Sequence, residues 1–137
     1  MPELIQVSTA SPEFAPGPIT DDEGAAMFRA CVNLFRHWQI ADGDAALLLD
    51  LPPRTFARWK AGAIGRIGRD QKGRLSNLMG IHKALRLIFR EPERYYGWIK
   101  LPNDAFGGRS ALDIMRGGEL TDLMRVRRYL DAERGAW

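Results

Sequence analysis

The sequence predicts an all-α protein, with a helix-turn-helix N-terminal half and a small helical C-terminal domain. Apolar residues recur at helical spacing in several segments. Strand signals are nearly absent, because no short apolar run alternates with polar residues for more than a few positions. A chain of 137 residues has room for one domain or two very small ones.

Residues 1–20 are predicted to form a flexible arm, since they contain four prolines and no apolar period. Residues 21–90 are predicted to form the helix-turn-helix domain, and residues 91–137 the C-terminal domain. The first twenty residues lack both a basic start and an uninterrupted apolar stretch, and no apolar run approaches the roughly 18 residues of a membrane helix. With a lone Cys31 as well, we expect a cytoplasmic protein without a membrane partner.

The first helix is predicted from its cap and its apolar stripe. Thr20 is an N-cap candidate, and Glu23 stands at the capping-box position. The stripe that follows contains Met27, Ala30, Cys31, Leu34, Phe35 and Trp38. Cys31 is therefore expected to be a small core residue.

A helix-turn-helix unit is predicted from two short helices separated by prolines. The first covers residues 42–50, and Pro52 and Pro53 forbid its continuation because proline is tolerated only in the first turn of a helix. The second runs from Pro53 to Lys60. Phe56 and Trp59 share one of its faces, which is suited to hold the helix on the core.

The outward side chains of this unit are candidates for DNA binding. Residues 51–74 carry seven basic and one acidic side chain, whereas residues 1–50 carry two and eight. Arg54, Thr55 and Arg58 have the chemistry to read base edges. The predicted phosphate contacts are Lys60, Arg66, Arg69 and Lys72. A solvated arginine-rich face or a plain helical hairpin has the same pattern, so these alternatives stay open.

The C-terminal elements are predicted from further caps and breaks. A long helix is expected over residues 70–90, followed by a restart into residues 91–98 and a loop to Gly108. Ser110 is suited to cap a helix that ends at Met115. The last helix is expected over residues 119–133, with an apolar stripe of Leu120, Leu123, Val126 and Leu130.

No catalytic, cofactor or metal site is expected. His37 and His82 are far apart in sequence, neither lies in a metal-ligand spacing, and a single cysteine does not make a usual zinc site. We expect His82 to be a hydrogen-bonded core histidine. Gly62, Gly65 and Gly68 follow a helix instead of a strand, which favours a flexible basic turn over a nucleotide-binding loop.

Two stretches resemble a known antitoxin family. LPPRTFARWKAG at residues 51–62 looks like the second half of an Xre-like helix-turn-helix. Trp98, LPNDAFGGRSALDIM at residues 101–115, and then Gly118, Val126, Leu130 and Gly135 resemble the toxin-binding domain of the antitoxin Xre/MbcA/ParS family. Ala111 departs from the family, which commonly has proline after the capping serine.

The resemblance implies an antitoxin that is paired with a RES-domain toxin, an enzyme that degrades NAD or transfers ADP-ribose. This chain would be the inhibitor, without a cofactor of its own, and would also bind operator DNA as part of a homodimer within a toxin-antitoxin hetero-oligomer. The residues expected to contact the toxin are Asn103, Arg109, Arg116, Arg127, Arg128, Arg134, Gly135, Ala136 and Trp137.

Trp137 is expected to anchor the chain in the toxin's nucleotide pocket. In the alternative reading it packs back on its own domain. Two other functions remain open: a stand-alone helix-turn-helix transcription regulator with a dimerising C-terminal domain, and, less favoured, a small NAD-related enzyme.

Overall fold

A computed structural model describes residues 18–135 and places seven α-helices in that range. In chain order they are α1 (Asp21–Trp38), α2 (Asp42–Leu49), α3 (Pro53–Lys60), α4 (Arg69–Ile88), α5 (Pro92–Gly97), α6 (Ala111–Met115) and α7 (Leu120–Gly135). Two 3-10 turns, Trp98–Lys100 and Asp104–Phe106, lie between α5 and α6. No strand forms within residues 18–135, which confirms the predicted all-α class.

The first helix begins at the predicted capping box. The Thr20 hydroxyl accepts from the Glu23 amide at 3.1 Å, and the Glu23 carboxylate accepts from the Thr20 amide at 2.8 Å. The helix ends at Gln39, whose backbone is left-handed with φ of 55°. Burial raises the pKa of the Cys31 thiol to about 12, which confirms it as an inert core residue.

The helix-turn-helix forms as the prolines predict. Helix α2 stops at Asp50, a left-handed residue with φ of 53°, and Pro53 opens α3. Phe56 and Trp59 meet the ring of Phe28 on α1 edge to face, with centroid distances of 5.9 and 5.5 Å. These aromatic contacts fix the orientation of α3 on the core.

Helix α4 is shared by the two halves of the chain, because it packs against α1 on one side and α7 on the other. Gly73 faces Leu120, and Gly80 faces Arg127, so glycines seven residues apart meet α7 residues seven apart and the two helices run parallel. The missing Cβ at Gly80 leaves space for the guanidinium of Arg127, which an added Cβ would overlap.

Several predicted bounds are corrected. Helix α4 starts at Arg69, one residue before the predicted start. It ends at Ile88, two residues before the predicted end, because Phe89 is extended and packs against the core. The glycine-spaced stretch is anchored and not simply a flexible turn, since Ile67 is buried against Gly24. The last helix covers Leu120–Gly135.

The predicted division of the chain at residue 90 remains a prediction, although buried residues from both halves form one core cluster. Within residues 18–135, each helix is too short or too polar to cross a bilayer.

Candidate functional site

Helix α3 presents two arginines on its solvent side. Arg54 and Arg58 are exposed and stand one turn apart, while Thr55 between them is half-buried. Phe56 and Trp59 on the opposite face are buried, so α3 is held on the core while the two arginine side chains face solvent. This arrangement is the one in which a recognition helix offers side chains to a DNA groove.

The predicted phosphate contacts divide into two groups. Lys60 pairs with Asp42 at 2.9 Å, and Lys72 donates to the Ile19 carbonyl at 2.8 Å. Arg66 and Arg69 are exposed and have no carboxylate at ion-pair distance within residues 18–135. The lysines therefore serve internal contacts, whereas the arginines are available to a ligand.

Arg66 and Arg69 also border an open depression of about 460 Å³ at the start of α4. Its lining includes Lys72, whose ammonium additionally lies 3.4 Å from the Asp21 carboxylate. The basic patch predicted from residues 51–74 thus contains four accessible arginines, namely Arg54, Arg58, Arg66 and Arg69.

Three of the predicted toxin contacts are engaged within the chain. The Asn103 side chain accepts from the Ala105 amide at 2.9 Å and organises the loop before α6. Arg109 donates to the Asp113 carbonyl at 3.0 Å. Arg116 pairs with Asp44 of α2 at 3.3 Å.

The remaining predicted contacts lie on α7. Arg127 and Arg134 share the carboxylate of Asp131, at 3.7 and 3.9 Å, while Arg128 is exposed. Gly135 is exposed at the end of the helix. Ala136 and Trp137 lie outside the described residues, so the interpretation of Trp137 as an anchor stays a prediction.

Arg74 was not singled out by sequence reasoning, yet it joins three elements. It is 4% exposed and donates to the Asp70 carboxylate at 2.7 Å. Its Nη1 donates to the carbonyls of Leu48 at 3.2 Å and Gly118 at 2.8 Å. The i,i+4 spacing of Asp70 and Arg74 in the sequence indicates that this pair can form. No sequence pattern indicates the hydrogen bonds from Arg74 to the two distant carbonyls.

An aromatic cluster in the C-terminal half was also missed. Trp98 stacks on Tyr129 at 6.1 Å, and Phe106 meets Tyr129 at 5.2 Å. The guanidinium of Arg125 lies 5.4 Å from the centre of the Phe106 ring. Arg125 and Tyr129 are spaced i,i+4 on α7, which was the only local hint in the sequence.

The two histidines that are distant in sequence meet on either side of one tyrosine. Tyr96 is stacked 4.4 Å from His37 and 5.6 Å from His82. The Nδ1 of His82 is buried and has no hydrogen-bond partner in residues 18–135. The prediction that His82 is a hydrogen-bonded core histidine is therefore wrong. Burial lowers the pKa of His82, with smaller contributions from Arg86 and His37.

No group of three or more potential metal-ligating His, Cys, Asp or Glu side chains assembles between residues 18 and 135. Within the described residues, exposed arginines lie on α3, and arginines lie together with aromatic rings on and beside α7. Arginine and aromatic side chains are frequent at surfaces that bind macromolecules.

Two family models match this chain. Residues 17–80 match the family model of the antitoxin Xre-like helix-turn-helix domain, and residues 84–135 match that of the antitoxin Xre/MbcA/ParS C-terminal toxin-binding domain. The uncharacterized protein y4oB of Sinorhizobium fredii is 41% identical over 136 residues, which cover 98% of this chain and 99% of the relative.

The fold is similar to that of a chain in the crystal structure of the M. tuberculosis MbcT-MbcA toxin-antitoxin complex. The TM-score is 0.55 at 21% identity, with 82% of this chain and 94% of that chain covered. By its two domain matches, the chain belongs to the antitoxin Xre/MbcA/ParS family.

Proposed function

We propose that this protein is a non-enzymatic antitoxin that binds a RES-domain toxin in the cytoplasm and blocks the toxin's NAD-binding cleft. The observation that carries the proposal is the toxin-binding-domain match over residues 84–135. This range contains α5, α6 and α7. The RES-domain identity of the toxin comes from the family resemblance.

The packing of α7 supports obstruction by the end of the chain. Leu123, Val126 and Leu130 are at most 1% exposed and fix the helix on the core. Its last turn, with Arg134 and Gly135, is exposed, and Trp137 follows Gly135 by two residues in the sequence. Tryptophan is a frequent interface anchor, so Trp137 has the residue type that such an obstruction needs.

Truncation tests this mode of inhibition. Deleting residues 135–137 is expected to abolish inhibition of the purified toxin, measured as NAD consumption or ADP-ribose transfer. The matched control, Glu133→Ala at an exposed position of α7, keeps residues 135–137 and is expected to inhibit normally. If the truncated protein inhibits as well as the full chain, the proposed obstruction by Trp137 is wrong.

We further propose that α3 binds operator DNA. Two copies of the chain within the toxin-antitoxin assembly bind the two half-sites of the operator, and this binding regulates transcription of the chain's own gene. The exposed tips of Arg54 and Arg58 support this proposal. Each bidentate base contact is worth about 1 to 3 kcal/mol, so the Arg54→Ala, Arg58→Ala double variant is expected to lose about 2 to 6 kcal/mol of binding energy at each half-site.

The control for DNA binding is Arg29→Ala, Arg36→Ala, which removes the same charge from exposed positions of α1. Affinity for the operator is measured by fluorescence anisotropy at physiological salt, and toxin inhibition is measured in parallel. Equal losses in both double variants would show a nonspecific charge effect and contradict recognition by α3.

A further inference from the structure

The outward face of α7 contains two arginines and no carboxylate. Arg125 and Arg128 stand three residues apart, with the small side chains of Thr121 and Ala132 above and below them, and all four are exposed. Neither arginine has an ion-pair partner within residues 18–135, in contrast to Arg127. This face therefore carries two uncompensated positive charges on a surface that allows close approach.

Aromatic rings lie beside this face at Arg125. The guanidinium of Arg125 is held over Phe106, which is 4% exposed. Tyr129 and Trp98 continue the cluster as a stacked pair, and both are half-buried. An arginine already held on a ring loses less conformational freedom when it binds a partner.

An exposed apolar side chain follows the cluster in the chain. Leu101 comes three residues after Trp98, at the end of the 3-10 turn, and is 59% exposed. We define the arginine–aromatic surface as Trp98, Leu101, Arg125, Arg128 and Tyr129. Arginine, tyrosine and tryptophan are the residue types that dominate binding energy at protein interfaces.

We propose that the arginine–aromatic surface is a second contact area for the toxin, and that the toxin carries carboxylates beside apolar side chains where it meets this surface. The inference rests on the proposed antitoxin function. Carboxylates are required because burying two unpaired guanidinium groups is costly without opposite charges. Arg125 lies ten residues, or about 15 Å along the helix, from Gly135, so this area is separate from the end of the chain.

Charge reversal tests the proposal. Arg125→Glu, Arg128→Glu is compared with Lys83→Glu, Arg86→Glu, which makes the same charge change at the same spacing on the exposed side of α4. Binding to the purified, catalytically inactivated RES-domain toxin is measured by surface plasmon resonance at two salt concentrations. The α7 variant is expected to raise Kd by at least about 30-fold, the level of an interface hot spot.

The α4 variant is expected to change Kd by less than about threefold, which is typical of charges outside an interface. Arg125→Gln, Arg128→Gln removes the charges without reversing them and is expected to weaken binding by a smaller factor and to reduce its salt dependence. Circular dichroism and thermal unfolding verify that each variant is folded.

The outcomes separate the two proposals. If the wild-type chain does not bind the toxin, the proposed function itself fails. If the wild type binds and the α7 variant binds equally well, or if the α4 variant is weakened to the same extent, only the arginine–aromatic surface is overturned.

Discussion

Removing the guanidinium of Arg74 is expected to destabilise the whole chain. Arg74→Met keeps the apolar part of the side chain but deletes the donors to Asp70, Leu48 and Gly118. Breaking a buried pair by removing one partner costs about 3 to 5 kcal/mol. The side chain of Asp70 is 44% exposed and regains water, which places the expected loss at the lower end, about 3 kcal/mol.

Urea unfolding monitored by tryptophan fluorescence measures this loss as a lower midpoint at constant slope. For a chain of this size the loss corresponds to a Tm lower by roughly 10 °C. Arg74→Lys keeps the charge but not the fork geometry, so it is expected to fall between the wild type and Arg74→Met.

The control is Arg69→Met, at an exposed position on the same helix, which is expected to change stability by no more than about 0.5 kcal/mol. A loss below about 1 kcal/mol for Arg74→Met, or one equal to that of the control, would refute the view that this arginine ties α2, α4 and the start of α7 together. Amide exchange in these segments should rise in the variant.

Three further predictions concern backbone strain and pH. Gln39→Gly is expected to stabilise the protein by about 0.5 to 1 kcal/mol in thermal unfolding, because Gln39 has φ of 55°, where glycine avoids a Cβ conflict; no gain would contradict this reading. Gly118→Ala is expected to cost about 1 to 2 kcal/mol, since φ is +83° and the new Cβ would lie 3.2 Å from Leu47, and an unchanged Tm would argue against it. The lowered pKa of His82 means that the unfolded chain binds its proton more readily, so the histidine's contribution is complete above the unfolded value of 6.5 and is lost as pH falls below it. Urea unfolding between pH 7.5 and about 5.5 should show this loss of unfolding free energy in the wild type and a smaller loss in His82→Phe. The same dependence of unfolding free energy on pH in both proteins would contradict this prediction.

The helices were predictable because their signals are local. The capping boxes at Thr20 and Ser110 lie within four residues, and Pro52 with Pro53 breaks the chain regardless of the rest of the fold. Helix ends were less exact, since Phe89 leaves α4 to reach a core that the sequence does not display.

The candidate site was predictable only in its residue types. Arg54 and Arg58 are exposed as the stripe of α3 predicts, but the ion pairs that occupy Lys60 and Lys72 involve residues 18 and 51 positions away. The parallel packing of α4 and α7 was hidden for the same reason, because Gly73 and Gly80 look like weak points of an isolated helix. Such pairings form only when the folded chain brings distant residues together, and a single sequence has no local signal for them.

The shared position of α4 limits how this protein can be studied in pieces. A fragment that stops at residue 90 would keep α4 but lose α7. The face of α4 that packs against α7 would then be exposed to solvent. Such a fragment would tend to self-associate, and its affinity for DNA would then report on clustering as much as on recognition. Exchanging modules between related chains faces the same constraint, because a grafted C-terminal half must bring a helix that fits glycines already present in the recipient.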